Sequence, residues 1–216
     1  MRQNRSKKRR LSHDYKHLLR LYNSGADFVA FDTETTGLSA KVGRIIELGA
    51  VRFNKNGTLS FFHSLINPHT KLSSFIKGLT HIDDDMLLSA PDIKSVIPEF
   101  VKFCENSYFV AHNAGFDIKY LAEELERNNF PRLKNLAFDS LDFSRKVFPD
   151  LEHHNLQFLA AHFSVDVKNA HRADDDARVC MEILKICIKK YEQDRLKASL
   201  AKQAAKTIPG ELLLDL

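Results

Sequence analysis

The chain has no tryptophan, and its 216 residues hold only three cysteines, six prolines and eight glycines. So little Gly and Pro excludes collagen-like and low-complexity architectures. Cys104, Cys180 and Cys187 form no C-x-x-C pair, which argues against a disulfide framework or a cysteine zinc site. They read as reduced, packed thiols of a cytoplasmic protein. No apolar run approaches the roughly 18 residues needed to span a bilayer. The charged N-terminus leads into no apolar signal segment, and no internal repeat is visible.

What is present suits a globular domain with tails: 44% hydrophobic and 28% charged residues at a length that supports one proper core. The net charge of +4 conceals an asymmetry. Residues 1–10 carry six Lys/Arg and no acid, which leaves −2 for the remaining 206 residues. The tail is therefore the part suited to attracting phosphate.

Leu11, Tyr15, Leu18, Leu19 and Tyr22 recur at helical spacing, so a short amphipathic helix is expected after the tail. Residues 27–32 read as a buried strand that delivers Asp32 at its end. Residues 45–53 and 59–66 read as two strands joined by the Asn54-Lys55-Asn56-Gly57 turn. A proline-containing stretch with a short helix near 73–77 follows, then a helix over 93–104 and a strand over 108–111. Helices are expected over 116–127, 155–163 and 173–191. Together these give an α/β domain with a mixed sheet. Beyond Tyr191 a Lys/Ala-rich helix continues until Pro209-Gly210 breaks it. The expected organisation is a basic tail with a short helix (1–26), a catalytic domain (27–191) and an extension with an apolar end (192–216).

Three short blocks carry chemistry: Phe31-Asp32-Thr33-Glu34-Thr35-Thr36-Gly37, His112-Asn113-Ala114-Gly115-Phe116-Asp117 and His171-Arg172-Ala173-Asp174-Asp175-Asp176. Asp32 and Glu34, two apart on a strand, project to one face. Asp117 opens the helix after the 108–111 strand, and Asp176 lies in the first turn of the helix after His171. Clustered carboxylates repel one another unless cations answer them. Two divalent ions held by such acids can serve both ends of a phosphodiester displacement, and an imidazole beside them can take a proton from water. Thr33, Thr35 and Thr36 offer hydroxyls in a tight bend, Asn113 a polar contact and Phe116 a stacking surface.

In this order the blocks resemble the DnaQ-like exonucleases of the DEDDh type, in the ribonuclease H-like superfamily. Asp32-x-Glu34, Asn113-x-x-Phe116-Asp117 and His171-x-x-x-x-Asp176 match its three motifs, and the likeness covers roughly residues 27–191. The resemblance implies an α/β, ribonuclease H-like, mixed five-stranded sheet flanked by helices. It also implies two Mg²⁺ or Mn²⁺ ions and 3′→5′ hydrolysis releasing nucleoside 5′-monophosphates. Carried over, Asp32, Glu34, Asp117 and Asp176 are the metal acids, with Asp175 as the alternative to Asp176, and His171 is the general base. Leu38 resembles the apolar wedge set against the terminal base, and His112 joins Thr33, Thr35, Thr36, Asn113 and Phe116 as substrate contacts. An apolar residue is usual where this chain has Asp174.

The expected substrate is single-stranded nucleic acid, DNA ahead of RNA, in proofreading or repair. RNA 3′-end trimming and a noncatalytic polymerase- or clamp-binding module are the rivals. The end Glu211-Leu212-Leu213-Leu214-Asp215-Leu216 resembles the leucine-rich peptides by which bacterial replication proteins bind the sliding clamp, with Glu211 where glutamine is usual. Subunits of DNA polymerase III are accordingly expected partners. Removing residues 1–10 is expected to flatten the fall of DNA affinity with rising salt; a titration of a labelled single strand at several salt concentrations, with an unchanged slope, would show that the tail makes no phosphate contacts.

Overall fold

The computed structural model describes residues 11–207. The basic run 1–10 and the apolar end 211–216 lie outside the described residues. The Asp14 carboxylate accepts a hydrogen bond from the His17 amide at 2.9 Å, and so caps helix α1 (Tyr15–Asn23). Such a cap satisfies an amide that the helix itself leaves free. It also starts the helix later than the periodicity beginning at Leu11 suggests. Leu11 instead belongs to a short strand, β1 (Leu11–Ser12).

Strand β2 (Phe28–Thr35) pairs antiparallel with β3 (Ile45–Asn54), which pairs antiparallel with β4 (Gly57–Leu65). Two short helices, α2 (Ser74–Thr80) and α3 (Asp84–Leu88), follow, and then α4 (Ile93–Phe103). The acidic run 83–85 divides its duties there: Asp83 caps α3, while Asp84 pairs with Lys77 at 2.6 Å. Strand β5 (Tyr108–Ala111) runs parallel to β2 and leads into α5 (Ala114–Arg127). Next come β6 (Ala137–Asp139), α6 (Ser140–Val147), α7 (Leu156–His162) and the long α8 (Ala173–Thr207).

The sheet order is β1-β6-β5-β2-β3-β4. It has six strands where five were expected, because Leu11 and Ser12 add parallel to Ala137 and Phe138. The mixed α/β architecture agrees with the ribonuclease H-like expectation. Among the described residues, no helix is long and apolar enough to cross a membrane.

Alternation along the strands builds the two larger of three cores found among the described residues. Phe28, Ala30, Val51 and Phe53 face a cluster completed by α1, α6, α7 and α8. Val29, Phe31, Leu48 and Ala50 face the opposite cluster, filled by α4 and α5. A side chain fully buried in such a core contributes about 1.5–3 kcal/mol. All three cysteines are free and buried, and burial pushes their thiols well above the usual range.

The start of helix α8 packs its backbone directly on the sheet at Gly49. A Cβ built there would meet the Ala173 carbonyl carbon and the Asp174 nitrogen at 2.2 Å. Both are backbone atoms and cannot turn aside. Gly49→Ala is therefore expected to destabilise the fold by about 3 kcal/mol or more, read as a lowered urea midpoint; an unchanged midpoint would refute the contact.

Candidate active site

Strand β2 reaches the site with its alternation intact. Asp32 and Glu34 point to the face of the sheet covered by α8, and Thr33 and Thr35 to the face covered by α5. Pairing with β3 shifts register between Glu34 and Thr35. Bulges of this kind end regular pairing and re-aim side chains beside functional sites. The Thr33 amide and hydroxyl both donate to Asp117 Oδ1, at 3.0 and 2.7 Å. That couple ties the first turn of α5 to β2 and leaves Asp117 only 3% exposed.

From the other side α8 supplies Asp176, 6% exposed. Ligand atoms of Glu34, His171 and Asp176 lie within 4.8 Å of one another. Burial raises Asp32 well above the ordinary carboxylate range, and the charges of Asp117, Glu34 and Asp176 raise it further. Glu34 is pushed up to about 8, first by burial and then by Asp176, Glu47 and Asp117. Burial also lifts Asp176 to about 7, against the pull of the His171 backbone amide. Asp117 is raised by burial more than its Thr33 hydrogen bonds lower it. Burial is thus the leading perturbation of all four acids, and repulsion from the others comes next for Asp32 and Glu34. Such a donor set of hard oxygens fits divalent cations of the Mg²⁺ or Mn²⁺ kind.

The third acidic block separates cleanly. Asp174 is exposed. Asp175 is turned away from the cluster: it pairs with Arg178 at 2.7 Å and accepts from the amides of Lys168 and Asn169 at 2.6 and 2.8 Å. Asp176, not Asp175, is the member that meets Glu34 and His171. His171 itself has φ +60, a left-handed conformation uncommon outside glycine.

The threonines organise the bend. The Thr35 hydroxyl donates to the Gly37 carbonyl at 2.7 Å, and the Thr36 hydroxyl accepts from the Arg44 amide at 3.0 Å. Tyr120 donates its hydroxyl to the same Gly37 carbonyl at 2.5 Å. Thr33, Glu34, Thr35, Thr36, Leu38 and Phe116 all line one open groove of about 340 Å³, a size within the roughly 300–1,000 Å³ of ligand sites. Leu38 stands 87% exposed at its rim. Asn113, exposed and left-handed, precedes α5.

His112 differs from the expectation of a substrate contact. Both of its ring nitrogens are occupied within the protein, by the Ser140 hydroxyl at 2.9 Å and the His154 carbonyl at 2.8 Å. Burial lowers its pKa to about 4, so the ring is a neutral brace between β5, α6 and the segment before α7.

Sequence reasoning missed the opposite wall of the groove, where α2 and its cap place Ser73, Phe75, Ile76 and Leu79. Phe75 is 70% exposed, an orientation that nothing in its local sequence marks. It also missed Asp139, which accepts from the amides of Asn113, Ala114 and Leu141 at 3.1, 3.0 and 2.9 Å. Glu47, wholly buried and bound to Arg172, was missed as well. The apolar setting of Glu47, Ile45-Ile46-Glu47-Leu48, was the available signal, since a buried acid requires a partner.

Comparison with known proteins agrees with this geometry. The sequence profile of the exonuclease family (RNase T type) matches residues 29–184. The DNA polymerase III subunit epsilon of Treponema pallidum is 43% identical over 158 residues, covering 72% of this chain and 74% of that protein. The PolC-type DNA polymerase III of Caldanaerobacter subterraneus is 37% identical over 172 residues, covering 80% of this chain but only 12% of that much longer protein. E. coli exonuclease I, solved with a dT13 oligonucleotide, shares the fold with a TM-score of 0.69 at 17% identity, over 81% of this chain and 43% of that one. The chain belongs to the exonuclease family and is a 3′→5′ exonuclease, a hydrolase.

Proposed function

We propose that the chain removes nucleotides from single-stranded DNA 3′ ends in proofreading, releases nucleoside 5′-monophosphates and works with two divalent ions, Mg²⁺ or Mn²⁺. The observation that carries this reading is the grouping of Glu34, His171 and Asp176, with Asp32 buried in the field of Asp117, Glu34 and Asp176 and Glu34 also lining the groove. Asp32, Glu34, Asp117 and Asp176 would hold the ions. When bound, such ions polarise the scissile phosphate, favour ionised water and stabilise the leaving oxygen.

The chain's own residues supply the rest. His171, within reach of Glu34 and Asp176, takes the proton from the attacking water. The bend from Thr33 to Leu38 receives the terminal nucleotide, with Leu38, Phe75 and Phe116 presenting apolar surface to its base. Stacking on such surfaces is tolerant of sequence, as proofreading of any mispaired end requires. A DNA substrate and a polymerase partner are supported by the likeness to a DNA polymerase III subunit, and that work would place the chain in the cytoplasm.

Matched 5′-labelled DNA and RNA single strands with Mg²⁺ test the reading. Shortening from the 3′ end, faster on DNA, is expected, and Asp32→Ala should abolish it. His171→Ala should lower kcat by about 10²–10⁴-fold while strand binding persists. Full turnover in Asp32→Ala would remove the metal assignment, and faster loss of RNA would replace the substrate.

A second test uses stability. Glu34 and Asp176 keep their protons in the folded chain to about 8 and about 7, where the unfolded chain has already released them. The stability they contribute is therefore present at low pH and lost as pH rises through those values. Without divalent ions the thermal midpoint should fall from about pH 4.5 to about pH 8 and level off above that, and Mn²⁺ should restore it at the upper end. A flat profile in Glu34→Gln and in the parent alike, with no response to Mn²⁺, would contradict the cage.

A further inference from the structure

We propose that Glu47 is a positioning residue for His171, acting through Arg172 and the first turn of α8. The inference rests on the exonuclease reading above, in which His171 is the base. Glu47 is fully buried on β3, directly opposite Glu34 on β2. Like charges so placed repel, and a buried carboxylate persists only when its oxygens are satisfied.

The donors that satisfy it come from the residues just after His171. Arg172 reaches Oε1 with Nε at 3.0 Å and with its terminal nitrogen at 2.6 Å. The Ala173 amide donates to Oε2 at 3.0 Å. His63 adds Nε2 at 2.7 Å from β4. Both residues that follow the left-handed His171 are thereby fixed to the sheet. Left-handed residues with a Cβ persist where their surroundings over-determine them, and here the surroundings are one buried carboxylate. The Asp176 amide donates to the Arg172 carbonyl at 2.9 Å, so the anchor also extends into the turn that presents Asp176.

Gly49 is an independent observation for the same contact. It lies two residues along β3 on the same face, and its missing side chain lets Ala173 and Asp174 approach the strand. Strand β3 therefore meets consecutive residues of the turn with a charge and then with bare backbone. Glu47, His63 and Asp174 could be read instead as a metal site, since their ligand atoms lie within 4.8 Å of one another. The Arg172 guanidinium on the same carboxylate opposes a further cation there, which favours the anchor.

The test is steady-state 3′→5′ hydrolysis of a labelled DNA strand with Mg²⁺ by the full chain and its Glu47→Gln, Arg172→Lys, His171→Ala and paired variants. Glu47→Gln keeps the shape and removes the charge, and Arg172→Lys keeps the charge and removes the fork. Each is expected to lower kcat about 10–100-fold with KM within about twofold. Either change added to His171→Ala should cost much less than it does alone, because it acts mainly through a ring already absent. Unchanged kcat in both single variants, or losses that multiply in the pairs, overturns the proposal. Should Glu47→Gln fail to fold, Arg172→Lys decides, since that side chain is partly exposed and the pair stays charged. An inactive parent overturns the underlying exonuclease reading, a pattern distinct from an active parent with unaffected variants.

Discussion

Carboxylates brought together in a poorly hydrated pocket resist one another, and the architecture around the site answers that resistance. Asp32, Glu34, Asp117 and Asp176 are perturbed first by burial, and Asp32 and Glu34 next by the other acids. A single flexible segment bearing four such groups would splay. Here β2, α5 and α8 each deliver their share from a rigid element, so relaxation would require moving parts of the core. The buried acids of the region divide into two sets. Glu47, Asp139 and Asp175 have donors on their oxygens and hold the elements in place. The other four lie close to one another, with Asp117 alone of them tied to β2, by the Thr33 amide and hydroxyl.

Topology decides why the cluster lies where it does. The chain leaves β2 toward β3 and β4 on one side, then returns to β5 and β6 on the other. In open α/β sheets, ligands bind beyond the carboxyl ends of strands where the order reverses. Strands β2 and β5, parallel neighbours, form that point, with Asp32 and Glu34 on β2 and Asp117 on the helix after β5. The two faces of β2 then have separate duties. Thr33 fastens Asp117 on one face while Asp32 and Glu34 face α8 on the other.

The parts legible in the sequence are those whose signals are local. Short apolar runs mark β2 and β3, the Asn54–Gly57 turn joins β3 to β4, and an apolar stripe marks α5. Features that depend on distant partners are not legible. Ala137–Asp139 is too short to show a period and is a strand because Phe109 and Leu11 lie beside it. Leu11 continues a helical spacing that the Asp14 cap interrupts. His112 reads as a substrate contact until Ser140 and the His154 carbonyl occupy its ring. Glu47 reads as a break in an apolar run, and its partner Arg172 is 125 positions away. The three acidic blocks were visible as candidates, whereas the apolar wall from α2 needed the fold to bring it opposite Leu38.

A common device presents the two acids that come from helices. Asn113 and His171 are both left-handed, with φ +67 and +60, and each precedes a helix that carries a cluster acid in its opening turns. Asparagine and histidine adopt that conformation more often than other residues with a Cβ, and strain of this type costs of order 1–3 kcal/mol. In both places a buried carboxylate from a neighbouring strand binds the backbone amides at the helix start, Asp139 at Asn113 and Ala114, Glu47 at Ala173. Charge-assisted hydrogen bonds of that sort are roughly twice as strong as neutral ones, and a carboxylate at a helix N-terminus also complements its dipole. The same groups that offset the strain therefore fix the approach angles of α5 and α8. Asp117 and Asp176 are set against β2 by paired anchors on either side of the sheet, and the geometry of the acid cluster follows from acids outside it.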